Sequence, residues 1–136
     1  MKFAYTIVYV SDVEASLAFF ERAFGLRRRF VAPGGDYGEL ETGATALAFA
    51  QHVTAHDSLG DDYAAADASV LPLGVGIGLV TDDVAVACAA AVAAGATLLK
   101  PATVKPWGQR PTARWSNCAR RSAEPAQAHQ LSGSTR

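Results

Sequence analysis

Tyrosine side chains in the first alternating segment of the chain are the residues best suited to bind a ligand. Alternation in a strand places Phe3, Tyr5, Ile7 and Tyr9 on one face and smaller side chains on the other. A tyrosine ring can stack on a flat apolar group while its hydroxyl forms a hydrogen bond. Ordinary aromatic packing accounts for the same pattern, so both interpretations stay open.

His52 and His56 have the spacing of two metal ligands on one face of a helix. The surrounding residues show no helical periodicity, however, and supply no acidic or cysteine partner at matching spacing. We therefore expect the two histidines at a strand end and in a solvated loop. Asp61 and Asp62 are interpreted as a solvated turn. The basic run at 27–29 is interpreted as a charged strand edge rather than a phosphate site.

Other kinds of catalytic site are not indicated. The sequence shows no Ser/His/Asp order, no phosphate-binding loop and no pair of carboxylates placed for acid–base chemistry. Gly74, Gly76 and Gly78 alternate inside a predicted strand rather than at a strand-to-helix turn, so they are not a dinucleotide fingerprint. Alternate glycines on one face of a strand would leave room for a ligand or a closely packed sheet.

The composition indicates a small globular protein. A chain of 136 residues can form one domain or two small modules, and 50% hydrophobic with 18% charged residues argues against a disordered chain. A net charge of −1 gives no support to nucleic-acid binding. Cys88 and Cys118 make no disulfide framework, and Cys88 is expected to be buried and unreactive. No apolar run approaches the roughly 20 residues of a membrane helix, so we expect a cytoplasmic protein.

A pattern of strand, acidic cap, helix, glycine and strand occurs twice, at residues 5–30 and 75–100. Ser11 and Glu14 form a predicted capping box for the first helix, and Thr81-Asp82 a predicted cap for the second. Two more strands follow the first copy, whereas none follows the second. The predicted strands are 3–10, 26–31, 37–42, 45–51, 73–80 and 96–100, and the predicted helices end at Gly25 and near Ala94.

Two segments lack the periodicity of a helix or a strand. Residues 52–72 are predicted to be a long connector, a feature that is often functional in a compact domain. Residues 110–136 are polar and rich in arginine, and they are predicted to be a disordered or loosely attached tail.

The paired pattern resembles the vicinal oxygen chelate superfamily, which includes glyoxalase I, extradiol dioxygenases and bleomycin-resistance proteins. The resemblance is carried by IVYVSDVEASLAFFERAFGL, TALAFA, GLVTDDVAVACAAAVAAGA and KPWGQ. It implies an α+β fold of paired βαβββ modules (a glyoxalase-like fold) around a U-shaped cleft. The implied domain is then 1–109, composed of module one (1–51), the connector (52–72) and an incomplete module two (73–109), followed by the tail (110–136).

The resemblance also implies where metal ligands would lie, because metal-dependent relatives take them from the first and last strands of each module. The first position falls on Tyr5, the second on or near Phe49, and the third on Val75 or Gly76. The fourth belongs to a motif like D-P-x-G-x-x-x-E-L, which is absent. Since a divalent ion needs several convergent donors, we expect no metal and no other cofactor.

By the same resemblance, the face that carries Tyr5 and Tyr9 lines the cleft. Leu47 and Phe49 are expected to share that cleft from the fourth strand, although core packing is the alternative for Phe49. Trp107 lies in a loop that would border the cleft, either as a lid or as simple packing. The predicted ligand-binding residues are Tyr5, Tyr9, Leu47, Phe49 and Trp107.

Three functional hypotheses follow from these features. The leading one is a protein that binds a small, partly apolar molecule in an aromatic-lined cleft without a metal, with a second copy of the chain as its candidate partner. The second is a metal-dependent lyase or dioxygenase of the same superfamily, and the third is an inactive remnant. Neither nucleic acid nor a membrane is an expected partner.

The unfinished end of module two has a genetic explanation. Residues 110–119 can be written in codons that, read from the third base of the Arg110 codon, spell Pro-Asp-Ser-Thr-Leu-Val-Glu-Leu-Cys-Ser. That string is close to the motif of the missing last strand. We therefore infer a shift of the reading frame shortly after Gln109.

The coding sequence tests this inference directly. We expect the codons of residues 110–119 to permit the alternative reading, and codons that do not permit it would leave a lineage-specific tail as the explanation. A chain with the frame restored should unfold more cooperatively in urea, because its second module would regain a strand with which to pair.

Overall fold

The structure, a computed structural model, describes residues 1–69, 71, 73–103 and 112–116. The elements in chain order are β1 (Tyr5–Val10), α1 (Val13–Phe24), β2 (Arg28–Val31), β3 (Tyr37–Leu40), β4 (Ala46–Gln51), α2 (His52–Leu59), a short 3-10 helix (Ala66–Ala68), α3 (Val84–Ala93), β5 (Thr97–Thr103) and β6 (Thr112–Ser116). The predicted α+β class and the βαβββ order of module one are confirmed.

Helix α1 covers one face of the module-one sheet. Val13, Leu17 and Phe20 recur at helical spacing and are fully buried, so they form an apolar stripe on the side of the helix that meets the sheet. The helix ends at Gly25, whose φ of 67° is the left-handed conformation that glycine adopts without steric cost. The glycine therefore lets the chain turn from α1 toward β2.

The caps of the helices differ from the predicted ones. Asp12, not Ser11, is the N-cap of α1, and its Oδ1 accepts a hydrogen bond from the N–H of Ala15 at 2.8 Å. Ser11 instead donates its backbone N–H to Asp67, because the connector folds back onto this end of the sheet. The cap of α3 is likewise one residue later than predicted, at Asp83.

The four strands of module one form a mixed sheet in the order β1-β4-β3-β2. β1 and β4 run parallel, with pairs from Tyr5↔Ala46 to Val10↔Gln51, and the other two pairings are antiparallel. Parallel pairing of these strands requires a long crossover, which α1, β2 and β3 supply.

The core of module one lies between this sheet and α1. The buried residues that form it are Val10, Val13, Leu17, Phe20, Leu40, Leu47 and Phe49. The rings of Phe20 and Phe49 lie 5.1 Å apart between centroids. β3 approaches the helix so closely that a Cβ added at Gly38 would lie 2.7 Å from Cδ1 of Leu17, so a larger residue there would displace the Leu17 side chain.

β2 is an edge strand whose arginines pair with acids of the same module. Arg28 donates to both carboxylate oxygens of Glu14, at 2.6 and 2.7 Å, and to Glu21 at 3.0 Å. The hydrogen bond from Arg28 lowers the pKa of Glu14, although solvent screens this exposed pair. Arg29 lies 3.8 Å from Glu39. These partners favour the interpretation of the basic run as a charged edge.

The connector contains more regular structure than predicted. α2 begins directly after β4, and the 3-10 helix follows at Ala66–Ala68, although the sequence shows no periodicity for either. α2 contacts both β1 and β4, and its Ala55 is fully buried. Because short helices are marginal in isolation, this contact with the sheet is what supports α2.

Residues 73–80 were expected to be the first strand of module two, and this prediction is wrong. The segment forms no strand, and its side chains are exposed, with Val75 at 74% and Val80 at 87%. In module one the corresponding strand, β1, pairs with β4 alone. Within the described residues no strand of module two corresponds to β4. This glycine-rich segment therefore has no neighbouring strand with which to form hydrogen bonds.

The described part of module two consists of α3 and the antiparallel pair β5–β6. α3 packs against α1, where Ala91 meets Ala23 in a second small core. The expectation that residues 110–136 contain no strand is wrong, because residues 112–116 form β6. This strand forms by pairing with β5, although the sequence shows no alternation there. The remaining tail positions lie outside the described residues.

Two further expectations concern Cys88 and membranes. Cys88 is half-buried in α3, and burial raises the pKa of its thiol, which lowers its reactivity. Among the helices that the structure describes, none is long and apolar enough to cross a membrane.

The cap of α1 gives a test of the local structure. Asp12→Ala should lower the free energy of unfolding by about 1 kcal/mol, because an N–H at the helix start loses its acceptor. Ser11→Ala is the matched control and should change it little, since Ser11 acts through its backbone. Urea unfolding followed by circular dichroism measures both. A larger loss in Ser11→Ala would favour the capping box over the observed cap.

Candidate functional site

The candidate site is the face of the module-one sheet that points away from α1. Strand register decides its membership: alternate residues of β1 lie beside alternate residues of β4, and antiparallel pairing extends the same face onto β3. We call this surface the open face. Its members are Tyr5, Ile7, Tyr9, Tyr37, Glu39, Ala46, Ala48 and Ala50.

Small side chains occupy the middle of the open face, and larger ones lie on either side of them. β4 lies between β1 and β3 and contributes only alanines, and the side chains of Ala48 and Ala50 are fully buried between larger neighbours. β1 contributes tyrosines on one side, with Tyr5 54% exposed. A flat apolar group could stack on the exposed ring of Tyr5 at the edge of this face.

Two of the predicted ligand-binding residues lie elsewhere. Leu47 and Phe49 are buried in the core beneath α1, with 5% and 0% exposure, so the prediction that they share a face with Tyr5 and Tyr9 is wrong. The reason is register, because Tyr5 pairs with Ala46 and even-numbered residues of β4 therefore join odd-numbered residues of β1. The roles of Tyr5 and Tyr9 stay predictions, and Trp107 lies outside the described residues.

Tyr37 and Glu39 are members of the open face that the sequence prediction missed. The Tyr37 hydroxyl donates to Oε1 of Glu39 at 2.8 Å. Burial, together with the hydrogen bond and the negative charge of Glu39, raises the pKa of Tyr37 to about 12. The alternation in residues 37–42 was the available signal, but it did not show which neighbouring strand these side chains would meet.

Residues of the connector form a chain of hydrogen bonds beside the open face. Nε2 of His52 lies 2.9 Å from Oδ2 of Asp67, and Nδ1 of His52 lies 2.7 Å from the Tyr63 hydroxyl. Oδ2 of Asp67 also accepts the N–H of Ser11 at 3.0 Å. Tyr63 packs edge-on against Tyr9 with ring centroids 6.2 Å apart, so this network borders the C-terminal end of β1.

The two histidines are therefore placed differently from the prediction. Both lie on α2, and each has an acidic partner, since His56 Nδ1 lies 3.1 Å from Oδ1 of Asp61. Burial raises the pKa of Asp67, but the hydrogen bonds from His52 and Ser11 outweigh this effect and keep the pKa below its usual value. The fold of the connector, which the sequence pattern did not indicate, creates these pairs.

The positions implied for a divalent metal do not fit one. Tyr5 lies on the open face, but Phe49 points into the core, and Val75 and Gly76 have no side-chain donor. In the part of the chain that the structure describes, no three His, Cys, Asp or Glu side chains converge as metal ligands do. No chemical step is therefore assigned to a metal here.

Comparison with known proteins decides the family. The model of the Glyoxalase/Bleomycin resistance protein/Dioxygenase superfamily matches residues 2–120. The chain belongs to this superfamily. The match extends past residue 109, where the resemblance read from the sequence ended, and it includes β6. No curated protein matches the chain significantly.

Similar solved structures support the same fold. A glyoxalase-related enzyme from Fulvimarina pelagi is 25% identical, with a TM-score of 0.60 over 79% of this chain and 75% of that one. A superfamily member from Sphaerobacter thermophilus is 24% identical, with a TM-score of 0.63 over 88% and 92%. A family enzyme from Burkholderia phytofirmans is 24% identical, with a TM-score of 0.56 over 77% and 82%.

Titration of Tyr37 tests the geometry of the open face. Glu39→Gln should lower the pKa of Tyr37 from about 12, because it removes the negative charge that opposes ionisation. Glu21→Gln is the control and should leave this pKa unchanged, since Glu21 lies on α1 and pairs with Arg28. Tyrosine ring NMR against pH measures both, and an unchanged pKa in Glu39→Gln would contradict the contact.

The same pKa has a consequence for stability. The pKa of Tyr37 lies above the ordinary tyrosine value of 10.0, so the stability that the neutral phenol contributes is complete below about pH 10. That contribution is lost as the pH rises from about 10 towards about 12.

Proposed function

We propose that this chain binds a small, partly apolar molecule on the open face, without a metal. The observation that carries the proposal is that the register brings the aromatic residues of β1 and β3 to one face of the sheet, with only alanines of β4 between them. Tyr5 is exposed and Tyr9 and Tyr37 are half-buried, so their rings offer apolar surface with a polar hydroxyl to a ligand, as in many ligand sites. Family membership assigns no ligand to this chain, so it supports binding of a small molecule only in general.

The polar groups of the open face indicate which part of a ligand would be polar. Glu39 carries a negative charge on β3, and Nε of Arg29 lies 3.8 Å from its Oε2, so both signs of charge lie at one side of the open face. The Tyr5 hydroxyl stands on the other side, on β1. A ligand with a flat apolar body and polar groups at its ends would match this distribution.

A second copy of the chain is part of the proposal. The segment 73–80 exposes apolar side chains that include Val75, Ile77 and Val80. Apolar surface of this kind is commonly covered by another protein surface. A homodimer would bury it, and sedimentation equilibrium of the purified protein measures whether one forms.

Binding can be tested with Nile red, a neutral, flat dye whose fluorescence reports an apolar site. We expect Ile7→Asp to weaken dye binding about tenfold or more, because it places a charge in the middle of the open face and removes about 1.5–3 kcal/mol of apolar burial. Val80→Asp is the matched control, since Val80 is apolar and exposed but lies outside this face. Its dye affinity should stay unchanged.

Two results would overturn the proposal. One is loss of dye binding in Val80→Asp with retention in Ile7→Asp, which would place the apolar site on 73–80. The other is a stoichiometric metal ion in protein purified without chelators, which would favour the metal-dependent lyase or dioxygenase. Tyr5→Ser provides a milder variant of the same face if Ile7→Asp lowers the melting temperature.

A further inference from the structure

We propose that Tyr63, His52 and Asp67 form a proton relay that makes the Tyr63 hydroxyl an acid–base group at the end of the open face. The three residues are joined by hydrogen bonds of 2.7 Å and 2.9 Å. They come from α2, the loop after it and the 3-10 helix, so the fold of the connector brings them together. The relay uses no residue of the metal positions considered above.

The order of the hydrogen bonds sets the direction of the relay. An ionised carboxylate can only accept, so Nε2 of His52 must donate its proton to Asp67. In the neutral imidazole the other nitrogen, Nδ1, then carries a lone pair and accepts from the Tyr63 hydroxyl. Asp67 thereby holds His52 in the tautomer that can act as a base toward Tyr63.

The proton transfer that follows is balanced. A ligand with a weakly acidic O–H, N–H or S–H group gives its proton to the Tyr63 oxygen while the phenolic proton moves to Nδ1 of His52. The products are the ligand anion, a neutral Tyr63 and an imidazolium that is paired with the Asp67 carboxylate. Transfer in the reverse direction returns the proton, so the same three groups serve as acid or base.

The surroundings suit this role. The side chain of Asp67 is 11% exposed and that of His52 27% exposed, so the charge pair formed in the relay is only partly screened by water. Tyr63 itself is half-buried and touches Tyr9, which belongs to the open face. The ring of His56 lies 5.4 Å from that of Tyr63, and Asp61 pairs with His56 on the exposed side.

A purely structural clamp would use the same hydrogen bonds but would not need a basic nitrogen. The two roles can be separated by the reactivity of the phenol. An aryl sulfonyl fluoride reacts with tyrosine by forming an O–S bond as the S–F bond breaks, and fluoride leaves while the phenolic proton goes to a base. If His52 is that base, Tyr63 should react faster than the other tyrosines of the same chain.

The experiment is labelling of the full chain with benzenesulfonyl fluoride, followed by mass spectrometry of the peptides. The chain has 4 tyrosines, which provide internal references, and the raised pKa of Tyr37 makes it the expected slowest. We expect labelling at Tyr63 to be about tenfold or more faster than at Tyr5, which is the more exposed residue. Equal or slower labelling at Tyr63 would overturn the proposal.

His52→Asn separates the base from the hydrogen-bond acceptor. The asparagine oxygen can still accept from Tyr63 but cannot take a proton, so labelling at Tyr63 should fall about tenfold or more while labelling at Tyr9 stays the same. His56→Asn is the matched control, because His56 lies on the same helix against the same ring, and it should leave the rate unchanged. If His52→Asn lowers the melting temperature, Asp67→Asn replaces it, with the same loss expected.

The use of the relay on a ligand depends on the proposed binding face, but the reactivity of Tyr63 does not. If Ile7→Asp loses Nile red binding but Tyr63 is unreactive, the relay is overturned and the proposed function stands. A reactive Tyr63 with no dye binding on the open face would support the relay and overturn the proposed function.

Discussion

The parallel pairing of β1 with β4 is the interaction on which the rest of the structure depends. It joins the first and last strands of module one, so that the four strands form one sheet against which α1 packs. On one side of the pair, Val10 and Phe49 meet α1 and complete the core. On the other side, the same register sets tyrosines beside alanines and creates the open face.

The pairing also positions the connector. β4 leads directly into α2, so His52 stands at the end of the sheet, close to where β1 ends at Val10. The backbone N–H of Ser11, freed from any capping role, then holds Asp67. In this way one backbone register fixes the core, the candidate binding surface and the polar network that borders it.

The second copy of the pattern shows the same constraint by contrast. Residues 73–80 carry β-branched and apolar side chains as β1 does, yet they form no strand, while β5 and β6 pair and are strands. Strand propensity reflects packing against neighbours more than an intrinsic preference of the backbone. Among the described residues no equivalent of β4 is present for residues 73–80 to pair with. The regular structure of module two described here is therefore α3, β5 and β6.

The resemblance of the sequence to a known superfamily indicated the fold. The sequence by itself also determined the apolar spacing along α1, the glycine that ends this helix and the chain order of the elements in module one. These features are local or periodic, and periodicity is visible in a single chain. Only the tertiary structure decided that Leu47 and Phe49 face the core, that Tyr37 and Glu39 join the open face, and that His52 meets Tyr63 and Asp67. Each of these depends on the register between strands or on the path of the connector, and both are set by contacts between residues far apart in the chain, which no local pattern records.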